Sequence, residues 1–161
     1  MSFHEKNDGG EVHGDFSKLN KLVENLSKNY YIDIGILGKS VLTEENGETT
    51  AAIGARHEFG IPEEDLPARS FIRLPLETGQ EEIEKNIEPK LEELLGNGDI
   101  KGIFKLIGVF GEARIQEAFE TGGFGQWKDI SEITKIMKGS DAILIDKGYL
   151  RKSIASQVGG G

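Results

Sequence analysis

Apolar residues recur every three or four positions at the start of the chain: Phe16, Leu19, Leu22, Val23 and Leu26. That spacing predicts an amphipathic helix over Phe16–Lys28, with Asp15 as its N-cap. The period then changes to two. Tyr30, Ile32, Ile34 and Ile36 alternate with Tyr31, Asp33, Gly35 and Leu37, the signature of a strand over Tyr30–Leu37. Gly38–Gly47 is polar and acidic, suited to an exposed loop with some strand from Ser40 to Thr43. Thr49 or Thr50 caps a short Ala51–Phe59 helix on which Ala52, Ala55, Arg56 and Phe59 share a face. Small residues there allow close approach to a sheet or to a neighbouring subunit. Gly60 is placed to end this helix in a left-handed C-cap, and Pro62 cannot continue it.

The next run, Pro67-Ala68-Arg69-Ser70-Phe71-Ile72-Arg73, reads as extended, with Arg69, Phe71 and Arg73 on one face. After Pro75 the pattern becomes helical from about Glu77. Ile83, Ile87, Leu91, Leu94 and Leu95 form an apolar stripe on an otherwise glutamate-rich surface, and Pro89 predicts a kink or restart. Gly96-Asn97-Gly98 breaks it. Asp99 then caps a second helix, Ile100–Glu120, striped by Ile103, Phe104, Ile107, Phe110, Ile115 and Phe119. The two form an antiparallel hairpin over about 77–120. Gly102, Gly108 and Gly111 cost about 1 kcal/mol each in a helix interior, which close packing would offset. Gly122–Ser140 is a long loop around Trp127, which either anchors it to the domain or contacts a partner. A short apolar run, Ala142–Ile145, precedes Asp146, which is placed to cap a turn over Lys147–Lys152. Ser153–Val158 closes the chain as a strand.

These elements predict an α+β fold: a small, mainly antiparallel sheet packed by helices, with the long helical hairpin. The organisation is a flexible tail over 1–14, one domain over 15–158 and a flexible end at 159–161, since 161 residues suit a single core. No apolar run approaches the ~20 residues that cross a bilayer, and Met1–Gly14 lacks a signal-peptide pattern. There are no cysteines, which excludes disulfides and thiolate metal sites. The net charge of −9 is uneven: residues 1–75 carry −5, 76–97 another −5, and 98–161 +1. No concentrated basic surface for nucleic acid stands out.

Little in the chain points to catalysis, and the expectation is a protein that is not an enzyme and holds no cofactor or metal. His57-Glu58 begins like a zinc-protease motif, but the second histidine one turn later is replaced by Ile61, beyond Gly60. His4 and His13 lie in the tail without partner carboxylates at helical spacing. The glycines around Trp127 do not follow a strand-to-helix turn, so they make no phosphate cradle. An enzyme using His57 and Glu58 is the rival class; adjacent helical residues face apart, which counts against it.

His57-Glu58-Phe59-Gly60 followed by Pro67-Ala68-Arg69-Ser70-Phe71-Ile72-Arg73 resembles the central signature of tailed-phage virion-morphogenesis proteins, the tail-completion or neck family that joins head to tail. A second run in that family is similar to Leu144-Ile145-Asp146-Lys147-Gly148-Tyr149-Leu150-Arg151-Lys152-Ser153-Ile154, with Lys147 in place of the usual threonine. Trp127, Ser131, Thr134 and Lys138 fall roughly where the family has a tryptophan, a Ser/Thr turn and a lysine. The resemblance spans Ile34 to Ile154. It implies a structural virion protein that forms a ring in the phage neck around the DNA channel, a hexamer or alternatively a dodecamer, in the virion after assembly in the host cytoplasm. A terminator ring capping the tail tube is the alternative. Expected partners are further copies of the chain, the portal-side connector and the tail tube or terminator; DNA passes through without sequence-specific binding, and no membrane is involved. Under this reading Arg69, Phe71, Arg73 and Trp127 are the candidate assembly interface. His57, Glu58, Phe59, Gly60, Pro67, Asp146, Gly148, Leu150 and Ser153 carry the structural motifs. The acidic excess would suit a channel wall that repels phosphates, or serve solubility alone.

Overall fold

The computed structural model describes residues 16–37, 47–129 and 148–161. Among them are six helices and a two-stranded antiparallel sheet, an α+β fold as the patterns predict. The order is α1 (Ser17–Leu26), β1 (Tyr31–Ile36), α2 (Thr50–Phe59), α3 (Arg73–Thr78), α4 (Gln80–Gly96), α5 (Ile100–Thr121), α6 (Tyr149–Lys152) and β2 (Ile154–Gly159). β1 and β2 pair along their full length, from Tyr31 opposite Gly159 to Ile36 opposite Ile154. The first and last strands of the domain thus close on each other. β2 runs one residue past the expected Val158, and Gly159 belongs to the strand rather than to a flexible end. The Tyr31 ring lies over Gly159, in the space where a Cβ would stand.

The sheet lies on α5 by way of the helix glycines. A Cβ at Gly108 would stand 2.4 Å from Ser156 Oγ and 2.7 Å from Ile32 Cδ1, and one at Gly111 would stand 2.7 Å from Ile34 Cδ1. Gly54 of α2 does the same for Ile36, at 2.4 Å. The apolar face of β1 therefore enters a set of notches, and close packing is the reason for the glycines. At the other end of α5, Ile115, Ala118 and Phe119 form the core with Phe71, Trp127, Leu150 and Ile154. Phe71 and Phe119 meet with ring centroids 5.3 Å apart, and Phe119 meets Trp127 edge-on at 6.0 Å.

Three local predictions change. The run at 67–73 is not a strand face. Pro67–Ser70 lies outside the sheet, and α3 begins at Arg73, ahead of the expected start near Glu77. Pro75 sits in the first turn of α3, where a proline costs no helical hydrogen bond. The interruption falls at Gly79, and α4 runs on through Pro89, which is exposed. The buried face of α2 is Thr50, Gly54 and Glu58, so the alanines and Phe59 turn outward. Asp15, the loop strand at Ser40–Thr43, Ser131, Thr134, Lys138, the Ala142–Ile145 run and Asp146 lie outside the described residues.

Candidate functional site

The His57–Arg73 stretch folds back on itself around one carboxylate. α2 ends at Gly60, whose φ of 72° and ψ of 170° lie in a region that only glycine occupies readily. It is not the left-handed cap expected. A Cβ there would stand 2.6 Å from Ala68 N, because the chain returns directly over it. Pro62–Glu64 forms a single 3₁₀ turn, closed by a bridge in which Ile61 N–H donates to Leu66 C=O at 2.9 Å and Leu66 N–H donates back at 3.1 Å. Arg69 N–H then donates to His57 C=O at 2.7 Å. The hairpin this makes puts residues 70–73 against the buried side chain of Glu58.

Glu58 accepts four hydrogen bonds there. Its Oε1 takes Ser70 Oγ–H at 2.6 Å and Arg73 N–H at 3.1 Å, and its Oε2 takes Phe71 N–H at 2.8 Å and Ile72 N–H at 3.0 Å. Ser70 Oγ in turn accepts Leu74 N–H at 3.0 Å. Every early amide of α3 from Phe71 to Leu74 is thus satisfied by a side chain from α2 or from Ser70. The negative carboxylate also sits at the positive end of α3. This is why α3 starts where it does.

A second set of contacts ties the Trp127 turn to the same place. Trp127 Nε1 donates to Ser70 C=O at 3.4 Å, and Arg69 Nε donates to Lys128 C=O at 3.1 Å. Arg69 is buried, which pulls its guanidinium down from its ordinary value, while the nearby Asp129 carboxylate pushes it back up. The turn that presents Trp127 has positive φ at Gly122, Gly123, Phe124 and Gly125. A Cβ at Gly123 would stand 2.2 Å from the indole nitrogen. Of the two roles open for Trp127, anchoring is the one the structure gives.

The four candidate interface residues therefore separate. Arg69, Phe71 and Trp127 are buried inside the protomer, and Phe71 has no exposed surface at all. Arg73 alone remains outside, with its guanidinium 5.7 Å from the centroid of the Phe59 ring. Of the motif residues, Gly148 takes a φ of 70° before α6, Leu150 is in the core, and Ser153 Oγ donates to Leu150 C=O at 2.7 Å. They close the chain between α6 and β2. Among the described residues no group of three or more His, Asp or Glu side chains is arranged to hold a metal ion, and no helix is long and apolar enough to cross a membrane.

The surface carries two features that the motifs do not mark. On α1, Phe16, Leu19, Val23 and Leu26 line one side and are 53 to 61 % exposed. The helix is held by its other side, where Asn25 Nδ2 donates to Gly98 C=O at 2.7 Å and Leu22 lies against Gly98. On α2, Ala51, Ala52 and Ala55 are exposed beside Phe59, which at 66 % is more open than any other large apolar side chain described. The 3–4 periodicity announces the α1 stripe but not which way it faces. Comparison with known protein families, curated proteins and solved structures finds no significant match.

Proposed function

We propose that this chain is a structural assembly subunit, a tailed-phage neck protein that forms a ring completing the tail and joining it to the capsid portal around the DNA channel. The observation that carries the reading is the α1 stripe. Four large apolar side chains on one helix face, each more than half exposed, form the kind of patch that a protein partner covers, and this supports an assembly role. The resemblance of the His57–Arg73 and Leu144–Ile154 runs supplies the kind of assembly. A ring needs a protomer that joins head to tail, so two different surfaces must meet. A terminator ring capping the tail tube draws on the same features.

The test is the mass of the purified chain by light scattering, followed by negative-stain imaging. A closed ring with a central hole wide enough for duplex DNA is the expected result, and its symmetry separates six copies from twelve. A monomer that also fails to bind isolated tail tubes or portals counts against the proposal.

A further inference from the structure

We propose that Asn97 is a self-modification site, at which the Gly98 amide nitrogen closes on the Asn97 carboxamide and the isoaspartate left behind unfastens α1. The proposal stands apart from the assembly reading. Asn97 is exposed at the tip between α4 and α5, and the residue after it has no side chain to obstruct attack on the carboxamide. The reaction needs only water. The Gly98 amide gives its proton to solvent and its nitrogen bonds to Asn97 Cγ; the Cγ–Nδ2 bond breaks, and ammonia leaves with a proton from solvent. Water then opens the cyclic imide at either carbonyl. Cleavage at Cγ restores the main chain, with aspartate in place of the amide. Cleavage at the main-chain carbonyl routes the chain through Cγ, which adds a methylene to the backbone and leaves a free carboxylate. No atom is oxidised or reduced: water enters and ammonia departs.

The fold holds this reaction in check and gives its product a consequence. Asn97 is the C-cap of α4 with a ψ of −6°, which keeps the Gly98 nitrogen away from the Cβ side where the ring must close. The same N–H donates to Leu95 C=O at 2.9 Å. Closure therefore waits for the last turn of α4 to open, and helix ends open more readily than cores. Gly98 is also buried, because α1 lies over it: a Cβ there would stand 3.6 Å from Leu22 N and 3.6 Å from Lys21 Cγ. Asn25 Nδ2 clasps the Gly98 carbonyl at 2.7 Å, and Asp99 N–H donates to Leu94 C=O at 2.8 Å. A methylene inserted ahead of Gly98 cannot preserve all of these contacts at once. The new carboxylate also stands at the negative pole of α4, where it weakens the turn further. Thus α1 slows ring closure, and the product of ring closure releases α1.

The test is to age the full chain in warm buffer below its melting temperature and map its tryptic peptides by mass. Residues 91–101 form one such peptide, which holds Asn97 and is distinct from the one holding the other Asn-Gly pair of the chain, Asn46-Gly47. Enzymatic methylation of isoaspartate tells the two products apart. The expected result is conversion of Asn97 to both, several-fold slower than in the same peptide cut free and several-fold faster in Asn25→Ala than in the parent. Hydrogen exchange across Ser17–Leu26 rises in the aged parent in step with isoaspartate. It stays low in equally aged Asn97→Ser, which controls for change at Asn46. Unaged Asn97→Asp carries the new charge without the methylene and shows a smaller rise. An Asn97 peptide still unconverted in the folded chain after the free peptide has turned over overturns the site. Conversion as fast as in the free peptide, or unchanged by Asn25→Ala, overturns the hold that the fold exerts. Isoaspartate at Asn97 with unaltered exchange in α1 overturns the unfastening.

Discussion

Glu58 and Phe71 are joined by a hydrogen bond of 2.8 Å from the Phe71 amide to the Glu58 carboxylate, thirteen residues apart in the chain and both buried. The bond links the end of α2 to the start of α3 and sets the aromatic ring against α5. It makes Glu58 a structural residue with a defined task. Removing it takes the acceptor from the buried amide of Phe71 and from the half-buried amides of Ile72 and Arg73. Each such donor costs on the order of 1–3 kcal/mol, relaxation recovers some of that, and Glu58→Ala should lose about 3 kcal/mol in total. For a domain of this size that corresponds to roughly 6–12 °C in melting temperature. Glu58→Gln keeps one acceptor and should lose less. Urea unfolding monitored by circular dichroism reads both; a Glu58→Ala protein as stable as the parent would show that the four bonds are not the fastening.

The same geometry sorts the conspicuous Arg–Phe–Arg group into two kinds. Phe71→Ala leaves a cavity among Phe119, Ile115 and Leu150 and should cost about 3–5 kcal/mol. Arg69→Ala leaves the Lys128 carbonyl without its donor and loosens the Trp127 turn, which tryptophan fluorescence would report. Arg73→Ala lies on the surface and should leave stability within about 0.5 kcal/mol of the parent. Its effect should appear in assembly instead, as a lower mass at a given concentration. Equal destabilisation by Arg69→Ala and Arg73→Ala would contradict this division.

Much of the architecture is legible from periodicity because the elements with strong patterns are also those with one buried face. β1 alternates cleanly, and its Ile32, Ile34 and Ile36 do face the helices. The α4–α5 hairpin follows from two apolar stripes, the Gly96-Asn97-Gly98 break and the Asp99 cap. The start of α3 was hidden because its cap comes from Glu58, a dozen or more residues upstream. Local capping rules look only at neighbouring positions, so Pro67–Arg73 reads as extended chain. The direction of α1 was hidden for a related reason. A stripe says that a face needs covering, while Asn25 and Gly98 decide which side the protomer itself covers. The arginine–aromatic spacing looks like an interface, yet burial of Arg69 and Phe71 puts the exposed aromatic at Phe59.

The junction at Gly98 gives a prediction about local opening. Asp99 Oδ1 accepts Gly102 N–H at 2.9 Å as the N-cap of α5, so Asp99→Ala should cost about 1 kcal/mol. Asn25→Ala removes the side-chain hydrogen bond described between α1 and Gly98. It should raise hydrogen exchange through Ser17–Leu26 without lowering the melting temperature comparably, because the core lies at the far end of α5. Unchanged exchange in α1 would mean that the Asn25 hydrogen bond is not what holds the helix.

The helix glycines allow propensity and packing to be set against each other. Replacing a helical glycine by alanine is worth about 1 kcal/mol where the new methyl finds open space. Gly96, at the end of α4, has nothing within 4 Å of where its Cβ would stand, so Gly96→Ala should stabilise the protein by up to that amount. At Gly108 the same methyl would stand 2.4 Å from Ser156 Oγ and 2.7 Å from Ile32 Cδ1, closer than real contacts allow. Overpacking of this kind costs typically about 1–3 kcal/mol, which exceeds the propensity gain. Gly108→Ala should therefore be destabilising, and Gly111→Ala also, but less, since its methyl would meet the far ends of Ile34 and Leu76, which can swing aside, whereas at Gly108 the Ser156 Cβ, fixed to the strand, stands at 2.9 Å. Ser156→Gly in the Gly108→Ala background removes the nearer clash and should recover part of the loss. The double-mutant cycle in urea measures this directly. A Gly108→Ala protein more stable than the parent would mean that the sheet does not rest on α5 at this point, and that the glycine is there for another reason.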